Sequence, residues 1–254
     1  MKAKKSLGQN FLQDEAVIIN IVQIIHPQPH DQLIEIGPGH GAITSHLQAS
    51  GADLQLIELD TDLIPLLQQQ FGGHDNVTIR HLDALQLQLD NGPYKVVGNL
   101  PYNISSPLLI NMLYQSEQVE QMIFMLQKEV VQRICAVPGN KLFGRLSVML
   151  QHRFECIGHL TIPPEAFIPR PKVDSQIVQL ITRPNPTQVP LPVLEKLVKQ
   201  AFSMRRKTIR NNLKKMVSDE QLEAAGIDPG QRAETIAVSQ FEQLALSLAA
   251  STSA

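Results

Sequence analysis

Seven short runs of β-forming apolar residues, separated in the first half of the chain by stretches of helical periodicity, leave this sequence few folds to choose from. They are QLIEI (32–36), LQLIEL (54–59), VTIRHL (77–82), KVVG (95–98), QMIFML (121–126), SVMLQHRF (147–154) and SQIVQLIT (175–182). Strands that alternate with helices pair in parallel, because each crossover helix covers a face of the sheet. The pattern predicts an α/β, doubly wound, Rossmann-like sheet. Only the proline-rich segment 155–174 joins the last two runs, which is short for a crossover, so an antiparallel hairpin is expected there. RPNPTQVPLP (183–192) breaks the pattern. Beyond it VLEKLVKQAF, IRNNLKKM, DEQLEAAG and VSQFEQLALSLAA carry apolar residues at helical spacing. The expected organisation is an α/β domain over 1–184 and a small all-helical domain over 185–254.

The first strand runs straight into a glycine turn, LIEIGPGHGAIT. Gly37, Gly39 and Gly41 let the backbone turn tightly and approach a ligand at the carboxyl end of the strand, where open α/β sheets bind small molecules. With Ala42 the turn also meets the relaxed GxGxxA pattern, so a nicotinamide enzyme is one reading. Two features favour S-adenosyl-L-methionine. Pro38 is wedged between the first two glycines, which is less usual in pyrophosphate cradles. Glu35 and its acidic neighbours suit a ligand carrying a sulfonium and an ammonium better than one carrying phosphates. Glu58, at the end of the second strand, is placed to take ribose hydroxyls in either case. Asp83 in HLDAL either accepts from an adenine amine or caps a following turn.

The fourth strand ends in GNLPYNISSPLL (98–109). An asparagine, a proline and an aromatic make poor core material, but they match a chemical need. The lone pair of an exocyclic adenine nitrogen is delocalised into the ring and attacks poorly. Acceptors that hold both of its N–H bonds favour the pyramidal form and stabilise the charge that grows during attack. Asn99, through its side-chain oxygen, and Leu100, through its carbonyl, supply the two acceptors. Pro101 stiffens the turn without a competing N–H, and Tyr102 offers a ring for a base to stack on. The tetrad belongs to the Asn/Asp-Pro-Pro-aromatic class of amino methyltransferases, with Leu100 in place of the first proline. The alternative is a plain strand-ending turn.

Charge is distributed unevenly. The net value is −2, yet residues 31–90 hold nine acids against one base, Arg80, whereas Lys2, Lys4 and Lys5 precede the first acid and 205–215 holds six bases and no acid. Such polarity suits a cation at one site and a polyanion at another, or simply solvated faces. Cys135 and Cys156 form no CxxC pair and fit a reducing compartment as fillers. The eight histidines make no HxH or HExxH pattern, so no metal is expected. MKAKKSLGQNF begins with a basic stretch, but the AVIINIVQII that follows contains Asn20 and Gln23 and is expected as an amphipathic helix, not a signal segment. No run is long enough to span a membrane. A cytoplasmic monomer is expected.

These segments appear in one order that resembles a known family. GQNFL (8–12), IEIGPGHGAIT (34–44), IELD (57–60), HLDAL (81–85), GNLPYNISSPLL (98–109), QKEVVQRICAVPGNKLFGRLSV (127–148), FIPRPKVDS (167–175) and GIDPGQRAETIAVSQFEQL (226–244) are similar to the bacterial small-subunit (16S) rRNA adenine N6-dimethyltransferases, the KsgA/RsmA family. The resemblance implies a class I S-adenosylmethionine-dependent methyltransferase fold with a helical C-terminal domain. It also implies dimethylation at N6 of two adjacent adenosines in the 3′-terminal hairpin of 16S rRNA, late in 30S subunit assembly. Cofactor contacts then carry over to Asn10, Leu12, Gly37, Gly39, Glu58, Asp83 and Asn99. Read without the family, GQNFL is only a loop before a helix, capped by Asn10 or Asp14. Leu7 stands where the family often has an aromatic, and Phe143 where tyrosine is frequent.

Two further expectations concern the substrate. Pro169 and Pro171 stiffen a loop that presents Phe167, so a target adenine is sandwiched between Tyr102 and Phe167; the alternative for Phe167 is a core plug. N6 cannot reach a methyl donor inside a helix, so the base must be unstacked. FSMRRKTIRNNLKK (202–215) is expected as a phosphate-gripping helix carrying Arg205, Arg206, Lys207, Arg210 and Lys214, with Arg206, Arg210 and Lys214 on one face. Competing readings are the 23S rRNA adenine methyltransferase of macrolide-resistance type, a nicotinamide oxidoreductase, and an assembly factor whose binding matters more than its chemistry.

Overall fold

The computed structural model describes residue 4 and residues 8–252. Lys2, Lys5 and Leu7 lie outside the described residues. In chain order the elements are β1 (Phe11–Leu12), α1 (Glu15–Ile25), β2 (Gln32–Ile36), α2 (Thr44–Ala49), β3 (Asp53–Glu58), α3 (Ile64–Phe71), β4 (Val77–His81), β5 (Tyr94–Asn99), α4 (Ser105–Tyr114), β6 (Val119–Gln127), α5 (Lys128–Ile134), α6 (Arg145–Arg153), β7 (Phe154–Ile162), β8 (Phe167–Ile168), β9 (Ser175–Thr182), α7 (Leu191–Ala201), α8 (Ile209–Leu213), α9 (Asp219–Ala224) and α10 (Val238–Thr252). They fall into two compact units, one of residues 1–131 and 157–182, the other of 132–156 and 183–254. Residues 132–156, which the sequence groups with the sheet, cluster instead with the C-terminal helices.

The first unit is built on a seven-stranded sheet in the order β4-β3-β2-β5-β6-β9-β7. The strands β4, β3, β2, β5 and β6 pair in parallel, and β9 is antiparallel to β6. Leu33, Ile34, Glu35 and Ile36 of β2 are all buried, as expected of a strand covered on both faces. Helix α1 buries Val17, Ile18, Ile21 and Ile25, the stripe that its periodicity predicted. Its N-cap is Asp14, whose carboxylate accepts from the Ala16 and Val17 N–H groups, a contact worth ~1 kcal/mol. Outside the main sheet, β1 and β8 form a two-stranded antiparallel ladder pairing Phe11 with Ile168 and Leu12 with Phe167.

The run 147–154 is not a strand. Residues 145–153 are helix α6, and the strand neighbouring β9 is β7, which starts at Phe154. A short apolar run reads alike in a buried helix and a buried strand. What decides here is local: the Ser147 hydroxyl accepts from the Gly144 N–H and donates to the Arg133 carbonyl, opening a helix.

In the second unit α6, α7 and α10 pack together. Phe143, Phe202 and Phe241 form a row, with ring centroids 6.4 and 5.9 Å apart. Cys135 and Cys156 are free thiols, and burial pushes Cys156 up to about 12, a filler and not a nucleophile. Among the described residues no helix is long and apolar enough to cross a membrane.

Candidate active site

The strand order turns back on itself between β2 and β5. From β2 the chain winds outward to β3 and β4, then returns to lay β5 along the other side of β2. Loops leaving the carboxyl ends of these two strands diverge and leave a crevice. Ile36 pairs with Gly98 at the end of that ladder, so Gly37 and Asn99 face each other across its mouth.

A cleft opens there, and it gathers segments far apart in the chain. Asn10, Leu12, Gly37, Gly39, Glu58, Asp83 and Asn99, all assigned to a cofactor above, line it, as do Leu100 and Pro101. Gly39 has φ +61, and a Cβ there would stand 3.0 Å from the Phe11 ring, so the β1 segment packs directly on the glycine turn. Asp83 is the cap of the turn that follows it and also borders the cleft: one carboxylate oxygen accepts from the Leu85 N–H at 2.9 Å.

Two buried carboxylates face the same space. Glu35 is 2% exposed, and the one hydrogen bond to its carboxylate among the described residues comes from the Thr44 hydroxyl, at 2.7 Å. Burial pushes its carboxyl up to about 7, with the nearby Glu58 charge adding to the effect. Glu58 accepts N–H bonds from Asp60 at 2.8 Å and Gly39 at 3.4 Å, yet burial still raises its pKa. Burial thus resists ionisation of both carboxyls, and a cation of suitable shape bound beside them is the chemistry that would favour their charged forms.

Asn99 sits at the end of β5. Its Nδ2 donates to the Asn10 carbonyl at 2.8 Å, which fixes the amide plane and turns Oδ1 away from that bond. No described residue donates to Oδ1 or to the Leu100 carbonyl, so two acceptors stand unengaged on adjacent residues. Lys4 and Gln9, which precede Asn10, are themselves tied down. Lys4 Nζ lies 2.6 Å from Asp60 and 2.7 Å from Asp62, and the Gln9 amide donates to Asp60 at 2.8 Å. Those Asp60 and Asp62 contacts raise the Lys4 pKa.

The two proposed base-stacking aromatics differ. Tyr102 is half-buried outside the cleft lining, and its hydroxyl lies 3.0 Å from Ser175 Oγ, joining the NLPY turn to the FIPRPKVDS loop. Phe167 corrects the expectation. It is 1% exposed and packs in the core cluster that also contains Leu12 and Ile177, so it is the plug and shows no open face to a base. Its pairing with Leu12 in the β1–β8 ladder carries the ring inward.

The basic segment is also corrected. Only Ile209–Leu213 is helical, so 205–207 lie in a turn and share no helix face with Arg210 and Lys214. Arg210 is engaged by Asp219 through two contacts, at 2.9 and 2.7 Å, and Arg205 donates to the Lys141 carbonyl at 2.6 Å. Arg206, Lys207 and Lys214 are exposed and make no ion pair among the described residues. No cluster of His, Cys, Asp or Glu among the described residues has the make-up to hold a metal.

Comparison with known proteins completes the description. The family model for ribosomal RNA adenine dimethylases matches residues 1–250. The chain belongs to the ribosomal RNA adenine dimethylase family. A ribosomal RNA small subunit methyltransferase A of Chromobacterium violaceum is 49% identical over 247 residues, covering 95% of this chain and 94% of that protein. The protein of the same name from Pseudomonas fluorescens is 46% identical over 256 residues, covering 98% and 94%. Among solved structures, a 23S rRNA methyltransferase, ErmE, superposes with TM-score 0.77 at 26% identity, covering 94% of this chain and all of that one. A dimethyladenosine transferase from Plasmodium falciparum, at 22% identity and TM-score 0.85, shares the fold. The adenine dimethylase fold is the class I methyltransferase fold, and the oxidoreductase reading of the glycine turn falls away. Within this dimethylase, sequence reasoning missed Lys4, Gln9 and Asp60 as parts of the site. Gln9 lies within GQNFL and Asp60 within IELD, and that membership was their one signal in the sequence.

Proposed function

We propose that this chain transfers methyl groups from S-adenosylmethionine to N6 of two adjacent adenosines in the 3′-terminal hairpin of 16S rRNA, during maturation of the 30S subunit in the cytoplasm. The carrying observation is the Asn99 amide, held by the Asn10 carbonyl so that Oδ1 and the Leu100 carbonyl stand as paired acceptors beside an acidic cleft. Greater identity to proteins named for the small subunit than to the 23S enzyme favours the 16S target over the 23S one.

Bound in the cleft, S-adenosylmethionine supplies an electrophilic methyl on a sulfonium. Glu35 and Glu58 would face its positive charges, Glu58 would also take ribose hydroxyls, and the remaining Asp83 oxygen would accept from an adenine amine. Asn10, Leu12, Gly37 and Gly39 shape the walls. Toward the substrate, Asn99 Oδ1 and the Leu100 carbonyl accept the two N–H bonds of the target amine. Nitrogen becomes pyramidal and its lone pair leaves conjugation; as the N–C bond forms the methyl–sulfur bond breaks, its electron pair staying on sulfur in the departing thioether S-adenosylhomocysteine, and the charge that grows on nitrogen is stabilised by the same two oxygens. The methylated nitrogen is a cation and loses its proton to water, so no strong protein base is needed. Pro101 holds the turn, and Tyr102 stacks on the base.

Incubating the chain with unmethylated 30S subunits and methyl-labelled S-adenosylmethionine, then mapping modified nucleotides, tests the reading. Two neighbouring dimethyladenosines in the 3′-terminal hairpin are expected. Label confined to 23S rRNA, or absent from RNA, overturns it.

A further inference from the structure

Tyr102 is held at both ends. Its carbonyl accepts from the Ser105 hydroxyl at 3.0 Å, and its phenol hydroxyl lies 3.0 Å from Ser175 Oγ, 73 positions away. Ser175 is 1% exposed and opens β9. Neither the phenol nor the Ser175 hydroxyl has another hydrogen-bond partner among the described residues.

Both sides of this contact are registered on β6. Asn99 pairs with Met125, and the Leu100 N–H donates to the Met125 carbonyl at 3.3 Å, which seats the NLPY turn on the end of that strand. Two residues on, Gln127 pairs with Ser175 in the antiparallel β6–β9 ladder. The Lys128 N–H then donates to the Asp174 carbonyl at 3.0 Å, and the Lys128 ammonium lies 3.4 Å from the Asp174 carboxylate. The end of β6 thus sets the Ser175 hydroxyl within reach of the Tyr102 phenol. A ring fixed at Cα and at its hydroxyl cannot swing between rotamers; a ring fixed at Cα alone can.

A buried serine with one partner is commonly just a satisfied polar group. The chemistry of two successive transfers gives this one a further consequence. In the first, the target amine presents two N–H bonds to Asn99 Oδ1 and the Leu100 carbonyl. Afterwards a methyl has replaced one hydrogen, and a single N–H remains for the same two acceptors. The second transfer is otherwise alike: the nitrogen lone pair forms the new N–C bond, the C–S electron pair stays on the departing thioether, and the last N–H proton leaves to water. With one hydrogen bond gone, more of the orientation of the base falls on the ring stacked against it. We propose that Ser175 is a positioning residue for the second methylation, acting through Tyr102. It locks the ring so that the singly methylated base keeps its lone pair aimed at the methyl donor. The inference rests on the proposed adenine dimethylation and on Tyr102 as the stacking ring.

The first measurement needs neither RNA nor cofactor. Tyr94, Tyr102 and Tyr114 are the three tyrosines of the chain, so a tyrosine Cζ NMR spectrum holds three lines, that of Tyr102 being assigned by Tyr102→Phe. Ser175→Ala should move the Tyr102 line alone. The second is a time course on unmethylated 30S subunits in which mass spectrometry separates monomethyl- from dimethyladenosine. Ser175→Ala should lower the ratio of second- to first-transfer rates ~5-fold, the size of one net hydrogen bond, and monomethyladenosine should accumulate. Tyr102→Phe keeps the ring and loses the tether, so it should give the same ratio, and the double variant should be no worse than either single one. Ser175→Thr, which keeps a hydroxyl, should restore the ratio. A Tyr102 line that stays in place in Ser175→Ala, or an unchanged ratio, overturns the inference. So does an equal slowing of both transfers, because loss of folded protein acts on the two steps alike. If the unaltered chain puts no methyl on adenine N6, the proposed function itself fails.

Discussion

Asn99 Nδ2 donates to the Asn10 carbonyl at 2.8 Å, across 89 positions of sequence. The bond ties Asn10 to the side chain proposed to hold the target amine. Asn10 decides which atom of the Asn99 amide faces the cleft, and an amide rotated by half a turn would offer a donor where the target amine needs an acceptor.

Replacing Asn99 with Ala should therefore lower the methyl-transfer rate ~100- to 1000-fold, the usual loss when one preorganised polar contact to a transition state is removed. Single-turnover transfer of labelled methyl at saturating cofactor checks it. A loss below tenfold would show that the side-chain oxygen is not at the reacting nitrogen.

The Lys4 contacts with Asp60 and Asp62 anchor the chain ahead of Asn10, so they should act on cofactor affinity and leave the chemical step alone. Lys4→Met is expected to raise the KM for S-adenosylmethionine ~3- to 10-fold with kcat little changed, and high salt should partly reproduce the effect in the unaltered chain. An equal fall in kcat would assign Lys4 a role at the reacting atoms.

Glu35 predicts a pH dependence. Its carboxyl sits at about 7 in the folded protein against an ordinary 4.5. Folded chain thus holds a proton that unfolded chain releases in this interval, and stability is full below 4.5 and declines as pH rises toward 7. Glu35→Gln removes that loss and should stabilise the ligand-free protein at pH 8, by at most about 3 kcal/mol. A cation bound beside Glu35 expels the same proton. Calorimetric titration with S-adenosylmethionine at pH 6, in buffers of different ionisation heat, should show release of nearly one proton, fading above pH 8. Identical heats in all buffers at pH 6 would refute the coupling.

Phe167→Ala should cost about 3–5 kcal/mol, because a fully buried ring leaves a cavity between β8 and the core. Thermal unfolding measures it. Phe167→Leu refills most of that space and should retain both stability and methylation. A leucine variant with wild-type Tm and lost methylation would restore the base-stacking role and require the loop to rearrange around RNA.

Much of the fold was legible because its signals are local. SQIVQLIT (175–182) is a strand over its full length, and the β2 glycine turn and β5 asparagine mark the crevice from sequence alone. The run 147–154 misleads because burial on all sides erases the difference between helical and strand periods. FSMRRKTIRNNLKK misleads for another reason: Arg210 looks free in a segment without acids, but its partner Asp219 comes from the next helix.

By itself the sequence determined the α/β class and singled out the glycine turn and the Asn-Leu-Pro-Tyr tetrad as candidates, because each needs residue types within a dozen positions. Only the tertiary structure decided that Asn10 aims Asn99, that Lys4 closes onto Asp60, and that Phe167 points inward. Those are contacts between residues tens of positions apart, set by strand order and ladder register, and no local pattern encodes the distance between two side chains that the fold alone brings together.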